Sequence, residues 1–255
     1  MALLSGCAHL DGQTTDIVRL NDAIVRDDVD YVRSAVKTGA LDVNQSIAVS
    51  GYQEGTPLLT IAARSASLKV LRYLISAGAD VNARTPVNET ALMLASFFLR
   101  EDREPSAASR EPYDEAVRIL VAAGAEIENY PHHYTPLSYA AYQGNDATVR
   151  FLIEHGARVD ADAENGATYI NTPLMMAAIE GRYSTALQLL RAGASAAIRV
   201  RGGYTAAEFA EKYRHAELAR LLRCAESTTP GQAFSQQCDG TIASSGRSPR
   251  QPIAR

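Results

Sequence analysis

The chain of 255 residues has no tryptophan, only three cysteines and no long apolar run. A membrane-spanning helix needs about 20 consecutive apolar residues, so any attachment to a membrane has to come from a lipid anchor. The net charge is −4, and acidic and basic residues are mixed along the chain. Because proteins that bind nucleic acid concentrate lysine and arginine on one face, this balance argues against a nucleic-acid partner.

Motifs that carry catalytic or metal chemistry are also missing. The sequence has no glycine-rich phosphate loop, no Gly-x-Ser-x-Gly elbow and no His-Glu-x-x-His pair. The cysteines lack zinc-site or Cys-x-x-Cys spacing. His132 and His133 stand beside Pro131 without a third ligand at metal spacing, which favours an exposed turn over a metal site. We therefore expect no enzymatic activity, no metal and no cofactor.

What the chain does contain is a large apolar residue followed three positions later by alanine, six times. The pairs are Leu20/Ala23, Leu59/Ala62, Leu92/Ala95, Leu137/Ala140, Leu174/Ala177 and, with alanine first, Ala207/Ala210. Five of them continue to a Gly-Ala dipeptide, at Gly39, Gly78, Gly124, Gly156 and Gly193. The distance is 33 residues from Leu59 to Leu92 and again from Leu174 to Ala207. A fixed period of this length is typical of stacked repeats.

The unit at residues 134–157 shows how one repeat is built. Its apolar positions form two helical faces on either side of a Gly144-Asn145 break. Thr135 offers a cap oxygen, and Pro136 stands where its missing N–H costs nothing. Gly156 stands where the second helix should end in a left-handed residue. Each repeat is therefore predicted to be a helix, a tight turn, an antiparallel helix and an extended finger.

These elements resemble the ankyrin-repeat family over residues 17–225. The resemblance rests on the Ala-Ala pairs, on the Gly-Ala-Asp-Val-Asn run at 78–82, and on Thr56-Pro57-Leu58, Thr135-Pro136-Leu137 and Thr172-Pro173-Leu174. It implies an all-α solenoid of about six helix-turn-helix repeats with extended fingers, acting as a monomeric protein–protein interaction module. The usual histidine after Thr-Pro-Leu is replaced by Thr60, Met93, Ser138, Met175 and Glu208, which should weaken bonding between repeats.

The third repeat is longer than the others. Leu92 and Gly124 are 32 residues apart, against 19 for the corresponding pairs of the other repeats, which predicts a 13-residue insert around residues 98–112. Insertions in such proteins fall on loops, often on the binding side. Neutral drift of a loop is the alternative, because longer loops cost little free energy.

In this family the partner usually lies along the fingers and the first helices. Carrying those positions over to this chain gives a set of candidate partner-binding residues that is rich in aromatic side chains: Phe97, Phe98, His132, Tyr134, Tyr142, Gln143, Tyr169, Asn171, Glu180, Tyr204, Lys212 and Tyr213. Tyrosine is enriched in interface hot spots, so we expect most of these rings to face solvent in the free protein. Tyr73, Tyr139 and Tyr183 fall at core positions instead.

The first residues, Leu4-Ser5-Gly6-Cys7, resemble a bacterial lipobox, in which the cysteine carries the lipid. Residues 1–16 would then be a lipobox remnant and tether, and Ala8 would favour sorting to the outer membrane. A signal peptide needs a basic start and an apolar core of about 7–15 residues, but only six residues, none basic, precede Cys7. Three alternatives remain: a start further upstream with a periplasmic, lipid-anchored protein, a cytoplasmic form that starts at Met1, or coincidence.

The end of the chain has a different composition. Residues 226–255 are rich in Ser, Gly, Gln, Thr and Pro without periodicity, which predicts a disordered tail. If Cys7 carries a lipid, Cys224 and Cys238 remain as a pair. They would form a disulfide in an oxidising compartment, or stay as two free thiols.

A lipobox before ankyrin repeats is similar to envelope lipoproteins of Gram-negative bacteria. These include immunity proteins that neutralise antibacterial phospholipase effectors delivered by type VI secretion. That resemblance implies a phospholipase toxin as partner, with the aromatic face covering its active site or lid. The alternatives are a periplasmic ankyrin protein in oxidative-stress defence and a scaffold of envelope complexes.

Overall fold

The computed structural model describes residues 7–48, 55–97, 107–128, 134–161, 172–199, 203–227 and 238, without the side chains of 7–15 and 107–109. The chain divides into two compact units, Met1–Tyr130 and Pro131–Arg255. Both units consist of helix pairs. None of the helices in the described ranges is both long enough and apolar enough to cross a membrane.

The first unit contains three helix pairs in chain order. Helices α1 (Cys7–Val25) and α2 (Val29–Lys37) form the first pair, α3 (Leu58–Arg64) and α4 (Leu68–Ser76) the second, and α5 (Ala91–Ser96) and α6 (Ala107–Ala122) the third. The first helices pack in one row, α1 on α3 and α3 on α5, and the second helices pack in another, α2 on α4 and α4 on α6. The result is a two-layer stack of repeats.

Short extended segments join these pairs and form the fingers. Strands β1 (Ser46–Ile47) and β2 (Thr56–Pro57) are antiparallel, with Ser46 opposite Pro57. An isolated antiparallel bridge joins Arg84 and Thr90 before α5. The extended fingers expected from the sequence are therefore present in this unit.

The second unit repeats the same plan with three further pairs. These are α7 (Pro136–Gln143) with α8 (Asp146–Glu154), α9 (Pro173–Ile179) with α10 (Tyr183–Arg191), and α11 (Ala206–Lys212) with α12 (Ala216–Glu226). Helix α9 lies between α7 and α11 in the row of first helices, and α10 contacts both α8 and α12 in the other row. The all-α helix-turn-helix architecture predicted from the period is confirmed.

The repeated alanines lie in the packed interior of these rows. Ala62, Ala140, Ala177 and Ala210 have no exposed surface, and the leading Leu137 and Leu174 are fully buried as well. A methyl group at this position lets the neighbouring first helix approach closely, whereas a larger side chain would overpack the core. Buried alanine thus explains the period seen in the sequence.

Four of the first helices, α5, α7, α9 and α11, begin at a buried threonine. The Thr135 Oγ1 accepts a hydrogen bond from the Ser138 N–H at 3.2 Å, and Pro136 is the first residue of α7, as the sequence predicted. Equivalent caps stand at Thr90, Thr172 and Thr205, where the third residue of the helix donates at 3.3 Å in each case. These caps satisfy backbone donors that the helix cannot pair itself.

In the five helix pairs whose turn lies in the described ranges, that turn contains a residue with positive φ: Asp27, Ala66, Gly144, Gly181 and Arg214. The residue after it often donates a hydrogen bond back to the preceding repeat. Ser67 Oγ donates to Val25 O at 3.4 Å, Arg182 Nε to Tyr142 O at 3.2 Å, and His215 Nε2 to Ile179 O at 3.1 Å. We call Ser67, Arg182 and His215 the turn donors, because each one bonds its own repeat to the one before.

The fingers of the first unit are bonded to one another by asparagine. Asn44 Oδ1 accepts from Asp80 N at 2.8 Å, while its Nδ2 donates to Gly78 O at 3.3 Å. Asn82 makes the same two contacts one repeat later, with Glu126 N at 2.8 Å and Gly124 O at 3.4 Å. These bonds give the Gly-Ala-Asp-Val-Asn motif a structural role at the base of the finger.

The structure differs from the sequence expectation in the third repeat. The insert was placed between two helices, at residues 98–112, but residues 107–112 form the first turns of α6, with Pro112 inside the helix. Residues 98–106 lie outside the described ranges. Part of the insert therefore lengthens the second helix instead of forming a loop.

The first and last helices lie close to the two predicted domain boundaries, and the boundaries remain predictions. Helix α1 begins at Cys7 and runs across the boundary placed between residues 16 and 17. The last helix ends at Glu226, where the predicted tail begins. Within that tail Cys238 is buried and bonded to Cys224, with 5.9 Å between their Cα atoms; residues 228–237 and 239–255 lie outside the described part of the chain.

Candidate protein-binding site

The candidate partner residues that the structure describes stand at two kinds of position. Some end the first helices, namely Phe97 after α5, Tyr142 and Gln143 in α7, Glu180 after α9, and Lys212 and Tyr213 at the end of α11. Tyr134 and Tyr204 precede a first helix, on the fingers. Phe98, His132, Tyr169 and Asn171 lie outside the described residues. Apart from Phe97, all the described candidates belong to the second unit.

Two of the predicted residues, Tyr142 and Glu180, contact each other across neighbouring repeats. The Tyr142 hydroxyl donates a hydrogen bond to the Glu180 carboxylate. Burial and this negatively charged acceptor together raise the pKa of Tyr142 above its usual 10.0. Arg182 completes the group, because its guanidinium lies 4.0 Å from Glu180 and its Nε bonds to the Tyr142 carbonyl.

A second group forms at the last repeat around Lys212. Its Nζ lies 5.0 Å from the ring centroid of Tyr204 and 5.8 Å from that of Tyr213. Tyr204 stacks on Phe209, with 5.3 Å between centroids and 27° between ring planes. The finger and the end of α11 therefore meet in one cluster of two tyrosines and a cation.

The acidic side chains near this cluster are already paired. Glu208 Oε2 accepts from Thr205 N at 2.8 Å and lies 3.0 Å from Arg199; the Thr205 N–H and then Arg199 lower the pKa of Glu208 below 4.5. Arg223 donates to both Glu211 oxygens at 2.8 Å and lowers the pKa of Glu211. These ion pairs neutralise Glu208 and Glu211.

Exposure does not separate the candidate rings from the core rings in the way we expected. Tyr204 and Tyr213 are exposed, at 41% and 47%. Tyr134, Tyr142 and Phe97 are only half-buried, and so are the three tyrosines assigned to core positions, Tyr73, Tyr139 and Tyr183. Tyrosine at a half-buried position packs its ring on the stack and keeps its hydroxyl near water, whichever face it occupies.

Two residues of the site, Arg182 and Phe209, were missed from the sequence. Arg182 was overlooked although it follows the turn glycine, the position that His215 and Ser67 occupy in their repeats. Phe209, which supports Tyr204, looked like an ordinary core residue and is 8% exposed. The position after the turn was the available signal for Arg182, whereas nothing in the sequence pattern marks Phe209.

The arrangement suits contact with another macromolecule. It offers exposed rings, a carboxylate and an ammonium group on the ends of rigid helices. In the ranges that the structure describes, no three His, Cys, Asp or Glu side chains come together as metal ligands would.

Comparison with known proteins supports the repeat assignment. Family models for ankyrin repeats match residues 106–200, as three copies, and residues 54–86. Human cyclin-dependent kinase inhibitor 2A is 34% identical over 128 residues, which are 49% of this chain and 78% of that protein. The mitochondrial disaggregase of Bos taurus is 30% identical over 167 residues, 65% of this chain and 22% of that protein.

A third relative is the homolog of transient receptor potential cation channel subfamily A member 1 from Caenorhabditis elegans. It is 32% identical over 114 residues, 45% of this chain and 8% of the channel. The chain thus spans less than a quarter of the disaggregase and the channel. What is shared is the repeat, and ankyrin repeats are protein–protein interaction modules that are generally non-catalytic. With its period, its caps and these matches, the chain belongs to the ankyrin-repeat family.

Proposed function

We propose that this chain is a non-catalytic binding protein whose partner lies across the fingers and the ends of the first helices of the second unit. The observation that carries this proposal is the pair of exposed rings, Tyr204 and Tyr213, at the last repeat. Exposed tyrosines on a rigid scaffold offer contact area at little cost in conformational entropy, which is why they recur in hot spots.

The finer proposal concerns the place and the partner. The chain would be a bacterial envelope lipoprotein, lipid-anchored through Cys7 in the periplasm, that neutralises an antibacterial effector by covering its active site. The sequence Leu4-Ser5-Gly6-Cys7 supports the anchor. The bond between Cys224 and Cys238 fits an oxidising compartment such as the periplasm. A start at Met1 would instead give a cytoplasmic form.

Affinity capture from the producing cell tests both levels of the proposal. The full chain should retain one main partner with nanomolar affinity, and a phospholipase encoded by a neighbouring reading frame would agree with the immunity role. Recovery of many unrelated envelope proteins and no toxin would favour the scaffold and contradict the immunity role. A partner that detoxifies oxidants would favour the stress-defence alternative.

A paired variant locates the binding face. The double change Tyr204→Ser and Tyr213→Ser should abolish capture, because it removes both exposed rings. Tyr31→Ser is the matched control, since Tyr31 is 40% exposed on α2, a helix of the second row in the other unit. Equal capture by the double variant and the wild type would refute the proposed face.

A further inference from the structure

We propose that Tyr204, Lys212 and Tyr213, which we call the lysine clamp, bind a carboxylate side chain of the protein partner. The inference rests on the proposed function and names the chemistry of the partner at the same face. The partner surface would carry an aspartate or glutamate flanked by apolar side chains. The carboxylate would pair with the ammonium group, and the flanking groups would pack on the two rings.

The geometry places the ammonium group between two exposed rings. Lys212 Nζ lies 5.0 Å and 5.8 Å from the centroids of Tyr204 and Tyr213, within the about 6 Å over which cation–π attraction acts. Both rings keep more than 40% of their surface in water. A partner can therefore reach the cation and the rings at the same time.

The clamp is also held in place before a partner arrives. Tyr204 stacks on buried Phe209, and the Tyr213 N–H donates to the Phe209 carbonyl at 2.9 Å. Lys212 is the last residue of α11, so its backbone is fixed by the helix. Lysine normally loses much rotamer freedom on binding, and a lysine already held by two rings loses less of it.

The surrounding charges leave Lys212 available for a partner. Glu208 is engaged by Arg199 and by the Thr205 N–H, and Glu211 by Arg223. Within the part of the chain that the structure describes, no carboxylate lies within ion-pair distance of Lys212. A partner carboxylate would supply the missing counter-charge, without first breaking an existing pair.

A phosphate-rich partner fits this surface poorly. Polyanions bind through several cations at once, whereas the clamp holds one, and the nearby Arg199 and Arg223 are engaged by carboxylates. The whole chain has three lysines, Lys37, Lys69 and Lys212, and a net charge of −4. A single carboxylate is the anion that one ammonium group between two rings can match.

The first test examines the clamp itself. Reductive ¹³C-methylation keeps the positive charge of lysine, and three lysines give few signals in an NMR spectrum. The Lys212 methyl signal, assigned from its loss in Lys212→Arg, should be shifted upfield by the rings of Tyr204 and Tyr213. Tyr204→Leu should move it back toward the signals of Lys37 and Lys69. A Lys212 signal that coincides with those of the other two lysines would refute the clamp.

The second test examines the ligand chemistry with a random peptide library displayed on phage. Peptides selected by the full wild-type chain should be enriched in Asp and Glu next to apolar residues. Peptides selected by the Lys212→Glu variant should instead be enriched in Lys and Arg. An acidic peptide from the first set should bind Lys212→Ala roughly fivefold more weakly, as expected for an exposed charge pair. Lys69→Glu is the matched control, because it reverses an exposed lysine on α4 and should leave the selection unchanged.

The outcomes separate this inference from the proposed function. One outcome would overturn the carboxylate as ligand but keep the binding face. In it, the selected peptides show no acidic enrichment and bind the wild type and Lys212→Glu equally. The double variant Tyr204→Ser and Tyr213→Ser no longer binds them. Peptides whose binding none of these substitutions changes would contradict both the clamp and the proposed binding face. Binding of phosphatidylglycerol vesicles that depends on Lys212, without selection of acidic peptides, would assign the clamp to a lipid phosphate and overturn the inference.

Discussion

Two turn glycines lie directly beneath the side chains that bond one repeat to the next. A Cβ atom at Gly144 would stand 2.6 Å from Arg182 Cδ, and one at Gly181 would stand 2.5 Å from His215 Nδ1. Both glycines have left-handed backbones, with φ of +69° and +68°. A methyl group there would strain the turn and also displace the turn donor of the following repeat.

The change Gly181→Ala should therefore cost more than backbone strain alone. Alanine in a left-handed conformation costs about 1 kcal/mol, and losing the His215 bond to Ile179 O adds roughly 1–3 kcal/mol. Gly39→Ala is the matched control, because Gly39 has φ +73° and open space around its Cβ position. Urea unfolding should show a clearly larger loss for Gly181→Ala; equal losses would contradict the role of the turn donor.

The raised pKa of Tyr142 predicts a dependence of stability on alkaline pH. Since the folded chain holds this proton more tightly than the unfolded chain, the stabilisation is complete below pH 10 and is lost as pH rises through the folded pKa. Tyr142→Phe should reduce the loss of unfolding free energy between pH 8 and pH 11, measured by urea titration. The same loss in this variant as in the wild type would disprove the assignment.

At the scale of the helix, the threonine hydroxyls that cap α9 and α11 make different hydrogen bonds. Thr172 and Thr205 both accept from the third residue of their helix, but the Thr205 hydroxyl also donates to Glu226 Oε1 at 2.5 Å. This second bond joins the start of α11 to the end of α12. The Thr205–Glu226 hydrogen bond therefore links the two helices of the last pair to each other.

Alanine at these two caps should separate the two contributions. Thr172→Ala should lower the unfolding free energy by about 1 kcal/mol, the usual cost of losing an N-cap. Thr205→Ala should cost roughly 1–2 kcal/mol more, because it also removes the bond to a charged carboxylate. Chemical denaturation of both variants measures the difference, and equal costs would mean that the Glu226 contact contributes nothing.

The helices could be predicted because their signals are local. Thr135 and Pro136 mark a helix start by their own chemistry, and the period of buried alanine marks the packed row. For the turn donors the local signal is limited to their position after the turn, because Ser67, Arg182 and His215 do not share a residue type. Their role depends on the distance to a carbonyl about 40 residues earlier, which no local pattern encodes.

The insert of the third repeat was predicted from residue spacing alone, as a loop that extends to Pro112. Proline usually disrupts a helix interior. Pro112 is instead inside α6, near the start of the helix.

At the candidate site, the positions of the tyrosines were predictable from the repeat. Their exposure was not, because it depends on packing against neighbours such as Phe209.

For the molecule as a whole, the bond between Cys224 and Cys238 ties a segment beyond the last helix to that helix. The two cysteines are 14 positions apart, and Cys238 has no exposed surface. A crosslink restricts the unfolded chain, and for a loop of this size the entropic estimate is about 3 kcal/mol. The terminal repeat of a stack is also the one that lacks a following neighbour.

Reduction should therefore lower the stability of the chain by about 3 kcal/mol. Thermal unfolding with and without dithiothreitol measures the effect, and mass spectrometry of alkylated protein counts the thiols. The double variant Cys224→Ser and Cys238→Ser should unfold at the same temperature as the reduced chain, and dithiothreitol should not change that temperature. An unchanged midpoint on reduction of the wild type, with the thiols shown to be free, would contradict this prediction.

The turn donors give the stack a direction. Arg182 and His215 each reach back to the carbonyl of the earlier repeat, and neither bond is made inside one repeat. Duplication of a whole repeat would copy a donor together with an acceptor, so the new junctions would be complete at once. Exchange of a single helix between repeats would separate the two halves of the bond. Such a protein can lengthen by whole repeats far more easily than it can be shuffled helix by helix.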